Sequence, residues 1–121
     1  MLDTIWKTNP RRILLTPFET QEVEVCRWAE KKGIFDESDA ITQMGKMREE
    51  VNELDIEVLS DEPEGLNREA IESELGDVLV TCIIQARFHG LNAQTCLESA
   101  LNKITKRTGK MIDGRFVKAS H

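Results

Sequence analysis

Residues 71–84 read Ile71-Glu72-Ser73-Glu74-Leu75-Gly76-Asp77-Val78-Leu79-Val80-Thr81-Cys82-Ile83-Ile84. Ile71, Leu75, Val78, Leu79, Cys82, Ile83 and Ala86 recur at spacings of three and four, the period of a helix with one buried face. Beyond Asp77 the stretch is apolar on nearly every side, which predicts a helix at the centre of a bundle. Its only charged residues are Glu72, Glu74 and Asp77, and from Leu75 to Ile84 Asp77 stands alone. A carboxylate enclosed there needs a compensating charge, because an unpaired buried ion is strongly destabilising or neutralises itself.

Upstream lies a second acidic motif, Glu49-Glu50-Val51-Asn52-Glu53, in a segment where Met44, Met47, Val51, Leu54 and Val58 keep helical spacing. From Glu49 to Asp77 there are twelve acidic residues and one base, Arg68. At about 100° per residue, Glu50, Glu53 and Glu57 fall along one edge of the first apolar stripe, with Glu49 farther round the polar face. Glu74, Asp77 and Thr81 fall along one edge of the second. Antiparallel packing across the short 60–66 loop brings the two edges face to face. Four carboxylates then converge, and a divalent cation offsets their repulsion. Hard oxygen ligands favour magnesium, with manganese as a substitute. Di-iron bundles use Glu-x-x-His, and neither His89 nor His121 follows a glutamate at that spacing. The competing reading is a solvated acidic face on a non-catalytic helical protein that binds a partner's basic surface.

Local signals place the remaining elements. Thr16-Pro17-Phe18-Glu19 combines an N-cap, a first-turn proline and a glutamate three residues after the cap, starting a helix to about Lys32 with Gly33 as its stop. Ser38 or Asp39 caps the helix of the first acidic motif. Asn67 caps the helix of the second, which stops at Gly90. Asn92 caps a fourth helix to about Thr108, with Ala93, Cys96, Leu97, Ala100, Leu101 and Ile104 as its inner face and Gly109 ending it. Asp113-Gly114 between short apolar pairs predicts a small hairpin or extended tail over 111–117. Residues 1–15, with Trp6, Pro10 and Ile13-Leu14-Leu15 but no sustained period, read as an N-terminal arm packed on the body or on a neighbour. The expectation is an all-α, four-helix bundle-like subunit: one domain over 16–121, with no repeat or linker.

Composition agrees. Aromatic content is 5% and tyrosine is absent, while the abundance of Glu, Lys, Leu and Ala favours helix. At 121 residues a partner subunit would help to bury apolar surface, so a homo-oligomer is expected. The net charge of −6 argues against nucleic acid as a partner, although residues 103–118 carry Lys103, Lys106, Arg107, Lys110, Arg115 and Lys118 against Asp113 alone. Cys26, Cys82 and Cys96 are far apart in apolar helical contexts and read as buried hydrophobes in a reducing compartment. With no signal-peptide core and no apolar run long enough to span a bilayer, the expected location is the cytoplasm, with no membrane partner.

Glu49-Glu50-x-x-Glu53, twenty residues, then Glu74-x-x-Asp77 resembles the signature of the MazG-like nucleotide pyrophosphohydrolases. Lys46-Met47-Arg48 before the first motif, Leu75 to Thr81 around the second, and the ending Asn102-Lys103-Ile104 through Arg107-Thr108-Gly109-Lys110-Met111 with Gly114-x-Phe116-Val117 extend the resemblance over roughly residues 20–118. It implies an all-α fold assembled as a homodimer or dimer of dimers. It also implies magnesium-dependent cleavage of a nucleoside triphosphate to monophosphate and pyrophosphate. Glu50, Glu53, Glu74 and Asp77 match the family's metal-binding carboxylates, and Glu49 matches a position that orients water or binds in the outer shell. For the remaining phosphate charge, Lys46 shares an edge with Glu50 and Glu53, and Lys103, Arg107 and Lys110 are further candidates. Trp28 and Phe35 flank the expected mouth; Trp28 is placed to stack on a base, and core packing suits Phe35 better. Phosphoribosyl-ATP, dCTP or dUTP remain alternative substrates on the same scaffold.

Overall fold

Thr16 opens the first helix through a reciprocal cap: its hydroxyl accepts the Glu19 N–H at 3.1 Å, and the Glu19 carboxylate accepts the Thr16 N–H at 3.1 Å. The computed structural model describes residues 15–60, 63 and 65–119; the N-terminal arm expected over 1–15 lies, but for Leu15, outside the described residues. Helix α1 spans Pro17–Lys31. Gly33 ends it in the left-handed region, at φ 81°, where only glycine is free of strain. A short helix that periodicity did not predict, α2 (Ile34–Glu37), follows directly. Four residues are too few to carry a hydrophobic period.

Asp39 then caps α3 (Ala40–Val58), its carboxylate accepting the Thr42 N–H at 2.7 Å. Helix α4 spans Arg68–Phe88 and α5 spans Ala93–Ile104, the latter capped by Asn92 through the Thr95 N–H at 2.8 Å. Asn67, expected to cap α4 with its side chain, instead donates its amide to the Glu57 carbonyl at 2.5 Å. At the other end of the pair, Gln85 donates to the Ala40 carbonyl at 3.1 Å. These two contacts make α3 and α4 antiparallel neighbours, and α4 also packs on α1 and α5. The central position expected for α4 is therefore the observed one.

Ala29, Ile83, Ile84, Cys26 and Ala86 form the small core where α1 meets the second half of α4. Burial pushes the Cys26 thiol above its ordinary pKa, keeping it protonated and inert. Glu22, also buried, accepts the Ala93 N–H and, at 3.3 Å, the Gln94 N–H, so a carboxylate from α1 satisfies the first amides of α5.

Helix α5 and two of the cysteines also depart from expectation. Cys82 and Cys96 are exposed rather than buried. The apolar stripe of α5 is not internal, since Leu97, Leu101 and Ile104 are each more than half exposed. Helix α5 also stops at Ile104 rather than near Thr108. Periodicity identifies an apolar face; whether a neighbour covers it is decided by tertiary packing.

The chain ends in a hairpin of β1 (Gly109–Ile112) and β2 (Arg115–Lys118), antiparallel with Ile112 opposite Arg115. Asp113 and Gly114 turn it with φ of 48° and 79°, positive at both central positions as a twist-matched two-residue turn requires. The described structure is thus mostly helical, and no helix among the described residues is long and apolar enough to cross a membrane.

Candidate active site

The antiparallel pairing of α3 and α4 sets the two acidic motifs against each other. One carboxylate oxygen from each of Glu50, Glu74 and Asp77 lies within 4.8 Å of the others. Glu50 is 8% exposed, and Glu74 is half-buried. Oε2 of Glu50 and Oε2 of Glu74 are buried with no hydrogen-bond partner among the described residues. Buried polar atoms are rarely left this way, because each loses hydration with nothing in exchange. Two inward carboxylate oxygens from facing helices suit a hard divalent cation, so the donor set fits such an ion.

Asp77 was expected to be enclosed, and it is exposed instead. Leu75 and Leu79 beside it are 47% and 56% exposed, so the apolar run around Asp77 is open in the single subunit. The enclosed charges are those of Glu50 and Glu74.

Lys46 is the cation of the cluster. One turn before Glu50 on α3, its ammonium lies 3.0 Å from Glu50 Oε1 and 3.5 Å from Glu49 Oε1. The hydrogen bond to Glu50 raises the lysine above its ordinary pKa and keeps it charged. Glu53 is pushed above the ordinary glutamate range, first by the Glu50 carboxylate, then by desolvation and the Glu74 carboxylate. Glu53 thus feels the negative potential of the cluster, although it lies outside the three-carboxylate group.

A cavity of about 590 Å³ opens beside these carboxylates, lined by Lys46, Glu49, Glu50 and Asp77 on its polar side and by Trp28, Ile34, Val80 and Ile84 on its apolar side. Trp28 is 49% exposed, leaving ring surface available. Phe35, half-buried rather than in the core, packs edge-on against Phe88 with centroids 5.2 Å apart. Lys103, Arg107 and Lys110 are exposed and do not line this cavity; with α5 ending at Ile104, they lie at its last turn, on the segment leading out to the hairpin and on the first strand. Thr42, Gln43 and Thr81 also line the cavity, and Thr81 donates its hydroxyl to the Val78 carbonyl at 2.6 Å. Their signal was present in the sequence: Thr42 precedes Lys46 by four residues, and Thr81 follows Asp77 by four.

The model of the MazG nucleotide pyrophosphohydrolase domain matches residues 39–112, more than half of the chain and all of both acidic motifs. The chain belongs to the MazG family. It is therefore a nucleotide pyrophosphohydrolase, a hydrolase of phosphorus anhydrides. MazG proteins generally depend on a divalent metal, in keeping with the two unpartnered oxygens of Glu50 and Glu74. The matched span begins at the Asp39 cap and ends with β1, leaving α1 and its Trp28 outside it. No curated protein and no solved structure gives a significant match.

Proposed function

We propose that the protein hydrolyses a nucleoside or deoxynucleoside triphosphate to the monophosphate and pyrophosphate, with magnesium as cofactor and manganese as a substitute. The observation that carries this reading is the convergence of Glu50, Glu74 and Asp77 at the edge of a cavity that also holds a cation, Lys46, and an indole, Trp28.

Glu50, Glu53, Glu74 and Asp77 are the proposed metal ligands. When bound, the metal neutralises phosphate charge and supplies a water of lowered pKa. Lys46, already charged and held by Glu50, donates to a phosphate oxygen. Glu49, on the cavity wall, orients the attacking water and accepts its proton. The water oxygen bonds to the α-phosphorus, the bond from that phosphorus to the α–β bridging oxygen breaks, and pyrophosphate departs with its electron pair. Trp28 offers the nucleobase an apolar face. Lys103, Arg107 and Lys110 serve as phosphate cations in a homodimer or homotetramer that carries one subunit's tail to another's cavity. The many half-exposed leucines of α4 and α5 support such an assembly.

The test is incubation with a panel of triphosphates in labelled water, with magnesium or with chelator. Metal-dependent release of pyrophosphate, with the label in the monophosphate, is expected. Release of inorganic phosphate, or label in pyrophosphate, would place the attack elsewhere.

A further inference from the structure

Gln43 lines the same cavity as Trp28 and the carboxylates, yet none of the roles above uses it. It is half-buried on α3, and its amide nitrogen Nε2 donates to Ser38 Oγ at 3.1 Å. Ser38 is itself half-buried, at the junction between α2 and α3. Its hydroxyl holds one end of the amide, and Oε1 has no partner among the described residues. A carboxamide held in this way is an oriented acceptor with one N–H to spare beside it. Gln43 precedes Glu50 by two turns of α3, about 10 Å. The carboxylates and the amide therefore stand at different heights on one cavity wall, with Lys46 between them.

A nucleotide whose α-phosphate lies at the carboxylates carries its base along that wall. Trp28 offers a surface to the flat face of the base, and Gln43 offers a donor and an acceptor to its edge. The exocyclic group extends farthest from the ring, so it reaches a half-buried amide first. An amino group there donates to Oε1, and the ring nitrogen beside it accepts the second Nε2 proton, as when glutamine reads adenine in a DNA groove. A keto oxygen in the same place sets two acceptors against each other, and the ring N–H beside it faces the amide N–H. Both contacts then repel. We propose that Gln43, oriented by Ser38, makes this site select nucleotides whose base carries an exocyclic amino group beside an unprotonated ring nitrogen. Adenine and cytosine meet that requirement at this edge; guanine, uracil and thymine do not. Gln43 is the specificity-determining residue and Ser38 a positioning residue. The inference rests on the triphosphate reading of the site and deepens it by naming the class of base.

The experiment compares kcat/KM between bases of one size, adenine with guanine and cytosine with uracil or thymine, by direct assay of pyrophosphate with magnesium. It uses the full chain unaltered, Gln43→Met and Ser38→Ala. The unaltered protein is expected to favour the amino-bearing base about tenfold or more in both comparisons, the range of one bidentate pair. Gln43→Met keeps the reach and helix propensity of the side chain without its amide, so both ratios should fall to near one. Ser38→Ala frees the amide to turn over, so both ratios should narrow although Gln43 is still present. A merely structural loss would lower turnover of every substrate alike and leave the ratios intact. Ratios near one in the unaltered protein, ratios of opposite sense in the two comparisons, or ratios that survive Gln43→Met would overturn the assignment while the pyrophosphohydrolase reading stands. Ratios unchanged in Ser38→Ala would overturn the orienting role of Ser38. Should Gln43→Met fail to fold by circular dichroism, the unaltered protein and Ser38→Ala still decide. No pyrophosphate from any triphosphate would overturn the reaction itself.

Discussion

Glu50 faces two ways: Oε1 receives the Lys46 ammonium at 3.0 Å, while Oε2 is buried without a partner. One oxygen is satisfied by the protein and the other is not. The lysine compensates half of the carboxylate without closing the site. On the proposed reading, replacing Lys46 removes a phosphate cation as well as the ion-pair partner of Glu50. Lys46→Met is expected to lower kcat/KM about ten- to a hundredfold, the range of one charge-assisted hydrogen bond, chiefly through KM. Steady-state kinetics at saturating magnesium checks this.

Glu74→Gln removes one of the facing charges while keeping shape. Without metal its melting temperature should match or exceed that of the unaltered protein, since repulsion with Glu50 and Glu53 is relieved. Magnesium at about a hundred times its dissociation constant should stabilise the unaltered protein by about 2.7 kcal/mol and the variant far less. Thermal melts with magnesium and with chelator separate the two; equal magnesium shifts would remove Glu74 from the ligand set.

Glu22 joins two helices distant in sequence by accepting the Ala93 and Gln94 amides. Glu22→Ala leaves those donors unpaired in a buried place and should cost about 1–3 kcal/mol. Glu22→Gln, which keeps one acceptor oxygen, should cost less. Urea unfolding measures both, and no loss in Glu22→Ala would mean that α5 is not fastened this way.

The Asp39 cap gives a pH signature. Hydrogen bonds from the Thr42 backbone and side chain, in that order, hold its carboxyl below the usual aspartate range. A lowered folded pKa contributes stability that is present above the unfolded value and lost as pH falls through the folded one. The stability advantage of the unaltered protein over Asp39→Ala should hold at neutral pH and shrink below the ordinary aspartate range. Melts in an acid series would show a constant difference if the cap were not ionic.

Much of this was legible because it is local. The Thr16-to-Glu19 capping box, Asp39, Asn92 and the Asp113-Gly114 turn each act within three or four residues, and each occurs as read. The convergence of Glu50 with Glu74 and Asp77 was legible because two edges and a short loop leave little choice of pairing. What could not be read depends on neighbours. Asp77, Cys82 and Cys96 lie on apolar faces that the single subunit leaves open. Asn67 turned its amide to Glu57 across the loop rather than to its own helix. The tail cations Lys103, Arg107 and Lys110 are spread over the end of α5, the segment after it and the first strand, away from the cavity, a placement that charge alone does not encode.

The most direct test is turnover by Asp77→Asn beside the unaltered protein, with a good triphosphate substrate, magnesium and direct assay of pyrophosphate. Asp77 is exposed and outside the core, so folding should be unaffected and circular dichroism unchanged. The carboxylate-cluster account predicts loss of nearly all turnover, by about a thousandfold, as expected when a group acting on the transition state is removed. A variant that folds, binds magnesium as before and retains most of its turnover would contradict it.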